Sequence, residues 1–215
     1  MKAFSTRFML ILSLSLPPLL ITYPTSQAVA QTANVSAIIT PVQCLYTALK
    51  QVQNSNADFA QRSKIVAAAI DKSYDLNTLL KAAIGLLRYN ALNADEKQKL
   101  LLTFRNFTVA NYVSSFKPGS DARFTISQKI TDSPIPGSKI VQTYIGSADS
   151  MPGTEVDYIV TNKNGTWKVT DVLLGDSHIS QAAARHSDFR STLASGGIPK
   201  LITVLQRKIE NYSKE

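Results

Sequence analysis

The chain has 215 residues, 44% of them hydrophobic, and a formal net charge of +8 at pH 7. Its basic residues are scattered, with no Lys/Arg run and no aromatic-basic motif, which disfavours nucleic acid and favours an anionic membrane surface or an acidic partner. Cys44 is the only cysteine, which excludes an intramolecular disulfide and a cysteine-based metal cluster.

The first 30 residues are typical of a signal peptide. Lys2 and Arg7 provide a positive start, residues 8–21 form an apolar run, and small residues precede a cleavage point near Ala30. The run is short for a membrane span of about 20 apolar residues. We therefore expect residues 1–30 to be removed on export, which leaves a net charge of +6.

Four amphipathic helices are predicted between residues 40 and 116. The first has an apolar stripe at three- and four-residue spacing, formed by Val42, Leu45, Leu49 and Val52. The third is predicted to run without a break through "DLNTLLKAAIGLLRY". Asn93 and Glu96 predict a capping box at the start of the long fourth helix.

After residue 116 the apolar period changes from helical to alternating. Four strands are predicted over residues 123–130, 139–146, 155–162 and 166–174. The Asn164-Gly165 pair between the last two strands favours a tight hairpin, and the short connections favour an antiparallel meander. A helix over residues 180–194 and a last helix near Pro199 follow. Residues 31–215 are thus predicted to form one α+β domain.

The two histidines lie in triplets that suggest a hydrolase, Asp176-Ser177-His178 and His186-Ser187-Asp188. Side chains adjacent in sequence point apart, so neither triplet can form a catalytic relay by itself. The histidines also lack the spacing of a metal motif. We therefore predict no catalytic residues and no metal site. The polar groups of this stretch, such as Ser180, are expected to serve turns and helix starts.

The last third of the chain contains a set of landmark residues, which are Asp171, Gly175, Ser180, Phe189, Gly197, Leu201 and Leu205. In these positions it resembles the C-terminal signature of the MlaC-like, toluene-tolerance type of periplasmic lipid carriers. Upstream, Asp75, Leu76, Gly85, Phe104, Phe107 and Tyr112 are similar to landmarks of the helical core of the family. The stretch "ISQAAARHSDFR" is most similar to the hopanoid-associated HpnM branch.

The resemblance implies a helical layer packed on a curved antiparallel sheet of about four strands, enclosing an apolar cavity. It also implies a periplasmic, non-enzymatic carrier that shields the tails of a phospholipid or hopanoid-type lipid. The carrier would exchange its lipid between an inner-membrane transporter complex and an outer-membrane lipoprotein complex. We expect a monomer with no cofactor other than the cargo lipid.

Nine residues are predicted to line the cavity. They are Leu79, Leu80, Ile84, Phe104, Tyr112, Val141, Tyr144, Tyr158 and Val160. Lys168 and Arg185 are predicted at the mouth, where positive charge suits an anionic headgroup. Two alternatives stay open at this point. One is a periplasmic adaptor or assembly factor of a transporter with a filled core, and the other is a small exported enzyme with an acid/base group in the cavity.

Overall fold

The computed structural model describes the backbone of residues 26–214 and the side chains from Asn34 onward. Most of the predicted signal peptide therefore lies outside the described residues, and its cleavage near Ala30 stays a prediction. Within residues 26–214, no helix combines the length and the apolar character that crossing a bilayer requires.

The described residues form six helices, and the side chains of Asp58, Asp75, Asn93 and Ser180 cap the starts of four of them. The helices are α1 (Ser26–Gln53), α2 (Phe59–Ser73), α3 (Leu76–Ile84), α4 (Leu86–Ala91), α5 (Ala94–Ser115) and α6 (Gln181–Tyr212). Asp58 and Asp75 each accept a hydrogen bond from a backbone N–H in the first turn, at 2.7 and 3.0 Å. The capping box of Asn93 and Glu96 is confirmed at the start of α5.

Gly85 divides the predicted third helix into α3 and α4, so the prediction of one continuous helix is wrong. Its φ of 86° lies in a region that other residues rarely adopt. A Cβ atom at this position would lie 3.7 Å from Cε1 of His186, which is an ordinary contact. The backbone conformation, rather than a lack of space, therefore favours glycine and ends α3.

Gly197 divides α6 into two arms in the same manner. Its φ of 60° and ψ of −154° are not helical. Pro199 follows near the start of the second arm, where its missing N–H costs little. The two C-terminal helices predicted from the sequence are thus present as two arms joined by a kink.

The strands form one antiparallel sheet with the order β1-β2-β3-β4-β5. They are β1 (Arg123–Asp132), β2 (Ser138–Ser147), β3 (Ser150–Lys163), β4 (Thr166–Leu174) and β5 (Ile179–Ser180). Asn164 and Gly165 both have positive φ, 53° and 82°, as a two-residue hairpin turn of the favoured hand requires. The predicted meander of four strands is confirmed, and β5 extends it to five.

Hydrogen bonds to β4 fix the helices on the sheet at two points. The N–H of Asp75 donates to the carbonyl of Val169 at 2.9 Å, just before α3. The Asp171 carboxylate accepts bonds from the hydroxyl of Ser180 at 2.5 Å and from the N–H of Ala182 at 3.1 Å, at the start of α6. The α+β fold is therefore confirmed, with the helices packed on an open five-stranded sheet.

Candidate functional site

An apolar layer lies between the helices and the sheet, and it contains eight of the nine residues predicted to line a cavity. Each of the eight is at most 9% exposed, and all belong to one connected cluster of buried side chains. They are Leu79, Leu80, Ile84, Phe104, Tyr112, Val141, Tyr158 and Val160. We call this cluster the interior layer. That these side chains contact a lipid stays a prediction.

Tyr144 does not belong to the interior layer, and its prediction is wrong. Val141 lies opposite Tyr158 in the β2–β3 ladder, and Tyr144 lies opposite Glu155. Side chains alternate between the faces of a strand, so a residue three positions from Val141 lies on the other face. Tyr144 is accordingly only partly buried, on the face that carries Glu155.

Four buried tyrosines bring hydroxyl groups into the interior layer. The Tyr74 and Tyr112 hydroxyls form a hydrogen bond at 2.5 Å, and the Tyr46 hydroxyl pairs with that of Thr143 at 2.6 Å. The ring of Tyr46 contacts that of Tyr158 edge to face, with 5.8 Å between centroids. Burial raises the pKa of all four phenols, so they stay protonated. We call these four residues the tyrosine cluster.

Arg185, the first of the two predicted mouth residues, is buried beside the tyrosine cluster. It lies on the first arm of α6 and is 8% exposed. Its guanidinium carbon lies 5.2 Å from the ring centroid of Phe104 and 5.8 Å from that of Phe107, both on α5. Burial lowers the pKa of Arg185, while the nearby phenols of Tyr112 and Tyr74 raise it. The side chain thus places a positive charge at the edge of the interior layer.

Lys168, the other predicted mouth residue, caps a helix. Its ammonium group donates hydrogen bonds to the carbonyls of Asp71, at 3.2 Å, and Lys72 in the last turn of α2. These carbonyls lack helical partners, and a cation at a helix C-terminus is electrostatically favourable. Lys168 therefore stabilises the end of α2. A role towards a headgroup stays a prediction.

Among the described residues, clefts A, B and C open on the helical side of the molecule, and none of the three is lined by the nine predicted cavity residues. Cleft A, of about 560 Å³, lies between α2, α5 and the end of α6. Cleft B, of about 670 Å³, lies between α2, α3, α5 and the β3–β4 hairpin. Both are lined by Asp71 and Arg105, which form an ion pair at 2.5 Å. Cleft C, of about 370 Å³, lies between α1 and the same hairpin and is lined by Cys44 and Trp167.

Comparison with known proteins agrees with this architecture. The sequence pattern of the MlaC protein matches residues 41–207, which is more than half of the chain. The chain belongs to the MlaC family. The fold is also similar to a solved structure of the phospholipid-binding protein from Ralstonia solanacearum in complex with a phospholipid. The TM-score is 0.59 at 15% identity, over 88% of this chain and 99% of that chain. Comparison with curated protein sequences gives no match.

Sequence reasoning missed two residues of the tyrosine cluster in this MlaC-family chain, Tyr46 and Tyr74. Tyr46 follows Leu45 on the apolar stripe of α1, and Tyr74 directly follows α2. Their positions beside apolar runs were a usable signal of burial. The partners of their hydroxyl groups depend on tertiary contacts between distant parts of the chain.

A polar cluster on the other face of the sheet was also missed. Asp157, Glu155 and His178 bring potential ligand atoms within 4.8 Å of one another, so they could hold a metal ion. Asp157 accepts a hydrogen bond from the N–H of Thr143 at 3.1 Å and lies 3.7 Å from Nδ1 of His178. Burial raises the pKa of Asp157. His178 therefore faces Asp157, a residue outside both histidine triplets of the sequence.

Proposed function

We propose that this MlaC-family chain is a periplasmic carrier that shields the tails of a phospholipid or hopanoid-type lipid in its interior layer. The observation that carries the proposal is the apolar layer between helices and sheet. The chain belongs to the MlaC family, and the similarity of its fold to a phospholipid-binding protein supports the proposal. The hopanoid alternative is supported only by the resemblance of residues 179–190 to the hopanoid-associated branch.

The physical need for a carrier follows from the hydrophobic effect. Each CH₂ group removed from water contributes about 0.8 kcal/mol, so a two-tailed lipid with some 30 such groups faces a barrier of roughly 20 kcal/mol. An apolar interior removes most of this barrier. It needs few polar contacts to do so, because the hydrophobic effect is not directional.

Lipid tails would enter by separating helices from the sheet. The eight interior residues pack against one another and line none of clefts A to C. Close-packed interiors have little free volume, so space for acyl chains has to come from movement of the layers. The proposed carrier therefore alternates between a packed state without cargo and an expanded loaded state.

The proposed carrier works as a monomer between two membrane complexes. A net charge of +6 after removal of the leader suits an anionic lipid surface at either membrane. We propose an inner-membrane transporter complex and an outer-membrane lipoprotein complex as the two partners. The cargo lipid would be the only bound small molecule.

The packed interior also favours a second candidate, a periplasmic adaptor with a filled core. Such a protein would bind its transporter through its surface and would never take up lipid. The two candidates differ in one measurable property, the mass of the purified protein under native conditions.

Native mass spectrometry of protein exported to the periplasm and purified without added lipid tests the proposal. A bound mass equal to one lipid is the expected result. If the protein carries no lipid and also takes up none from phosphatidylglycerol micelles after delipidation, the carrier proposal is wrong and the adaptor is favoured.

A matched pair of variants locates the cargo. Tyr158→Glu places a charge in the interior layer and should abolish loading, because burying an unpaired carboxylate beside acyl chains is costly. Tyr144→Glu makes the same change on the other face and should leave loading intact. If Tyr158→Glu does not fold, Val160→Phe fills the layer without adding charge and should reduce loading. Equal loading of the two folded variants would contradict the assignment.

A further inference from the structure

Helix α4 presents two adjacent leucines to solvent. Leu86 is 59% exposed and Leu87 is 88% exposed, and α4 has no buried residue. A single exposed leucine is ordinary on a protein surface, whereas neighbouring ones on a helix without a buried face form a small apolar patch. We call Leu86 and Leu87 the leucine pair.

The break at Gly85 is what exposes Leu87. In a continuous helix, Leu87 would lie three residues after Ile84 and four after Ala83, on the same face as both. Ala83 and Ile84 are fully buried on α3, so that face points into the interior layer. Because Gly85 has a φ of 86° and ends α3, α4 takes a new direction and Leu87 faces solvent. The fold thus displays a side chain that helical periodicity alone would bury.

The leucine pair projects from the surface and borders no groove. Neither residue lines cleft A, B or C. An apolar projection fits a cover that adapts to its shape, and the acyl chains of a bilayer do so without a preformed pocket. The geometry therefore favours a lipid surface over a protein groove as the cover of the pair.

Three cations lie on or beside α4. Arg88 belongs to the helix, and its guanidinium donates a hydrogen bond to the carbonyl of Ile84 at 2.9 Å. Lys81 and Lys97 both contact the ring of Tyr89 on α4, with 5.0 and 5.5 Å from Nζ to the centroid. None of the three cations forms an ion pair within residues 26–214. Basic side chains with apolar stems beside an apolar patch are the pattern that binds an anionic membrane surface.

Two acidic residues also lie near α4, but their charge is offset locally. Asp95 and Glu96 are in the first turn of α5, where the positive end of the helix dipole compensates negative charge. The Glu96 carboxylate also accepts the N–H of Asn93 at 3.0 Å. The three cations have no such compensation, so the surface around the leucine pair is complementary to anionic headgroups.

We infer that α4 is a membrane-docking element, which inserts the leucine pair among the acyl chains of an anionic bilayer. Lys81, Arg88 and Lys97 then contact the headgroups, and Tyr89 lies at the boundary between headgroups and chains, where tyrosine is favoured. This inference rests on the proposed carrier function and assigns the surface on which the carrier meets a membrane. It places that surface on α4, outside the interior layer that would hold cargo.

Sedimentation with large vesicles of phosphatidylglycerol and phosphatidylcholine, using protein exported to the periplasm, tests the docking surface. Leu87→Ser should weaken binding to these vesicles by about tenfold, because it keeps every charge and removes apolar surface that would leave water. Leu102→Ser is the matched control, since Leu102 is 55% exposed but lies on α5 and lines cleft B, and it should bind as wild type does. Vesicles of phosphatidylcholine alone should bind wild-type protein about tenfold less tightly or weaker still, because they lack net negative charge.

Insertion, as distinct from attraction by charge alone, is measured by fluorescence. Leu87→Trp should emit at shorter wavelength on binding the anionic vesicles, and phospholipids with brominated acyl chains should quench the added emission. Leu102→Trp should show neither effect, and wild-type protein gives the contribution of Trp167 to be subtracted. Bound Leu87→Trp without quenching would refute insertion of the leucine pair.

Lipid loading separates this inference from the carrier function. Leu87→Ser should take up lipid from phosphatidylglycerol micelles as wild type does, because Leu87 does not belong to the interior layer. Equal vesicle binding by wild type and Leu87→Ser would overturn the docking role of α4 and leave the carrier function intact. If wild-type protein loads lipid but does not bind the anionic vesicles, the membrane proposal is wrong and a protein partner is favoured as the cover of the pair. Vesicle binding through Leu87 by a chain that never loads lipid would overturn the carrier function and support the docking surface.

Discussion

Removal of the hydroxyls of Tyr74 and Tyr112 offers a sensitive test of how the interior layer is held together. The two groups form a 2.5 Å hydrogen bond between the end of α2 and the last third of α5. Both residues are buried, at 5% and 9% exposure, so a hydroxyl without its partner has little water to bond to. Tyr74→Phe and Tyr112→Phe each delete one partner, and the double variant deletes both.

The expected magnitudes follow from this burial. A buried hydroxyl left without a partner costs about 1–3 kcal/mol, whereas removing both partners together can be nearly neutral. Each single variant should therefore lower the free energy of unfolding by about 1–2 kcal/mol. The double variant should lose less than the sum of the two, with a coupling energy of about 1 kcal/mol. For a chain of this size, each 1 kcal/mol corresponds to a change of about 2–4 °C in Tm.

Urea denaturation followed by far-ultraviolet circular dichroism measures the four free energies of the cycle. The slopes of the unfolding transitions should be the same for all four proteins, which makes the differences comparable. Tyr89→Phe is a suitable control, because its hydroxyl bonds to Asn77 at an exposed position and should contribute little. If the double variant loses as much free energy of unfolding as the two single variants together, the hydroxyls do not stabilise the layer as a pair.

Three further predictions concern single polar groups. Asp171→Ala should lower the free energy of unfolding by about 2–4 kcal/mol, because three donors lose a charged acceptor. A loss below about 1 kcal/mol in urea denaturation would refute that role. Asp157 has a raised pKa in the folded state, so its contribution to stability is present below the unfolded pKa and is lost as pH rises through the folded value. Asp157→Asn should therefore have a higher Tm than wild type near pH 7, and this difference in Tm should become smaller near pH 3. A difference in Tm that becomes larger at lower pH would contradict the prediction. Lys168→Met should lower the free energy of unfolding by about 1 kcal/mol through loss of the α2 cap and leave lipid loading unchanged. A marked loss of loading in the folded protein would instead place Lys168 at the headgroup.

The fold could be predicted largely from local patterns. The alternation of residues 123–174 and the Asn164-Gly165 turn determined the meander, because hairpin register depends on neighbours in sequence. The break at Gly85 was not predicted, since a glycine within an apolar helical pattern is compatible with either a helix or an interruption. β5 has only two residues, too few for an alternating pattern to be visible.

The site could be predicted only in part. The interior positions follow from apolar periodicity. Tyr144 is the exception, because a residue three positions from Val141 on the same strand lies on the opposite face of the sheet. Arg185 was expected near solvent, since arginine is rarely buried without a partner. Its burial depends on how α5 packs against α6. All five strands lie between these two helices in the sequence, so no local pattern predicts their contact.

Cleft C gives the molecule an optical probe of its own. Trp167, on β4, is the single tryptophan of the chain, and Cys44, on α1, is its single cysteine. Both line the same cleft, so a chromophore attached to the thiol would quench the indole emission by energy transfer across it. The donor belongs to the sheet and the acceptor to the helices. The emission of Trp167 in the labelled wild-type chain therefore reports on the separation of the helices from the sheet. No residue has to be introduced for this measurement.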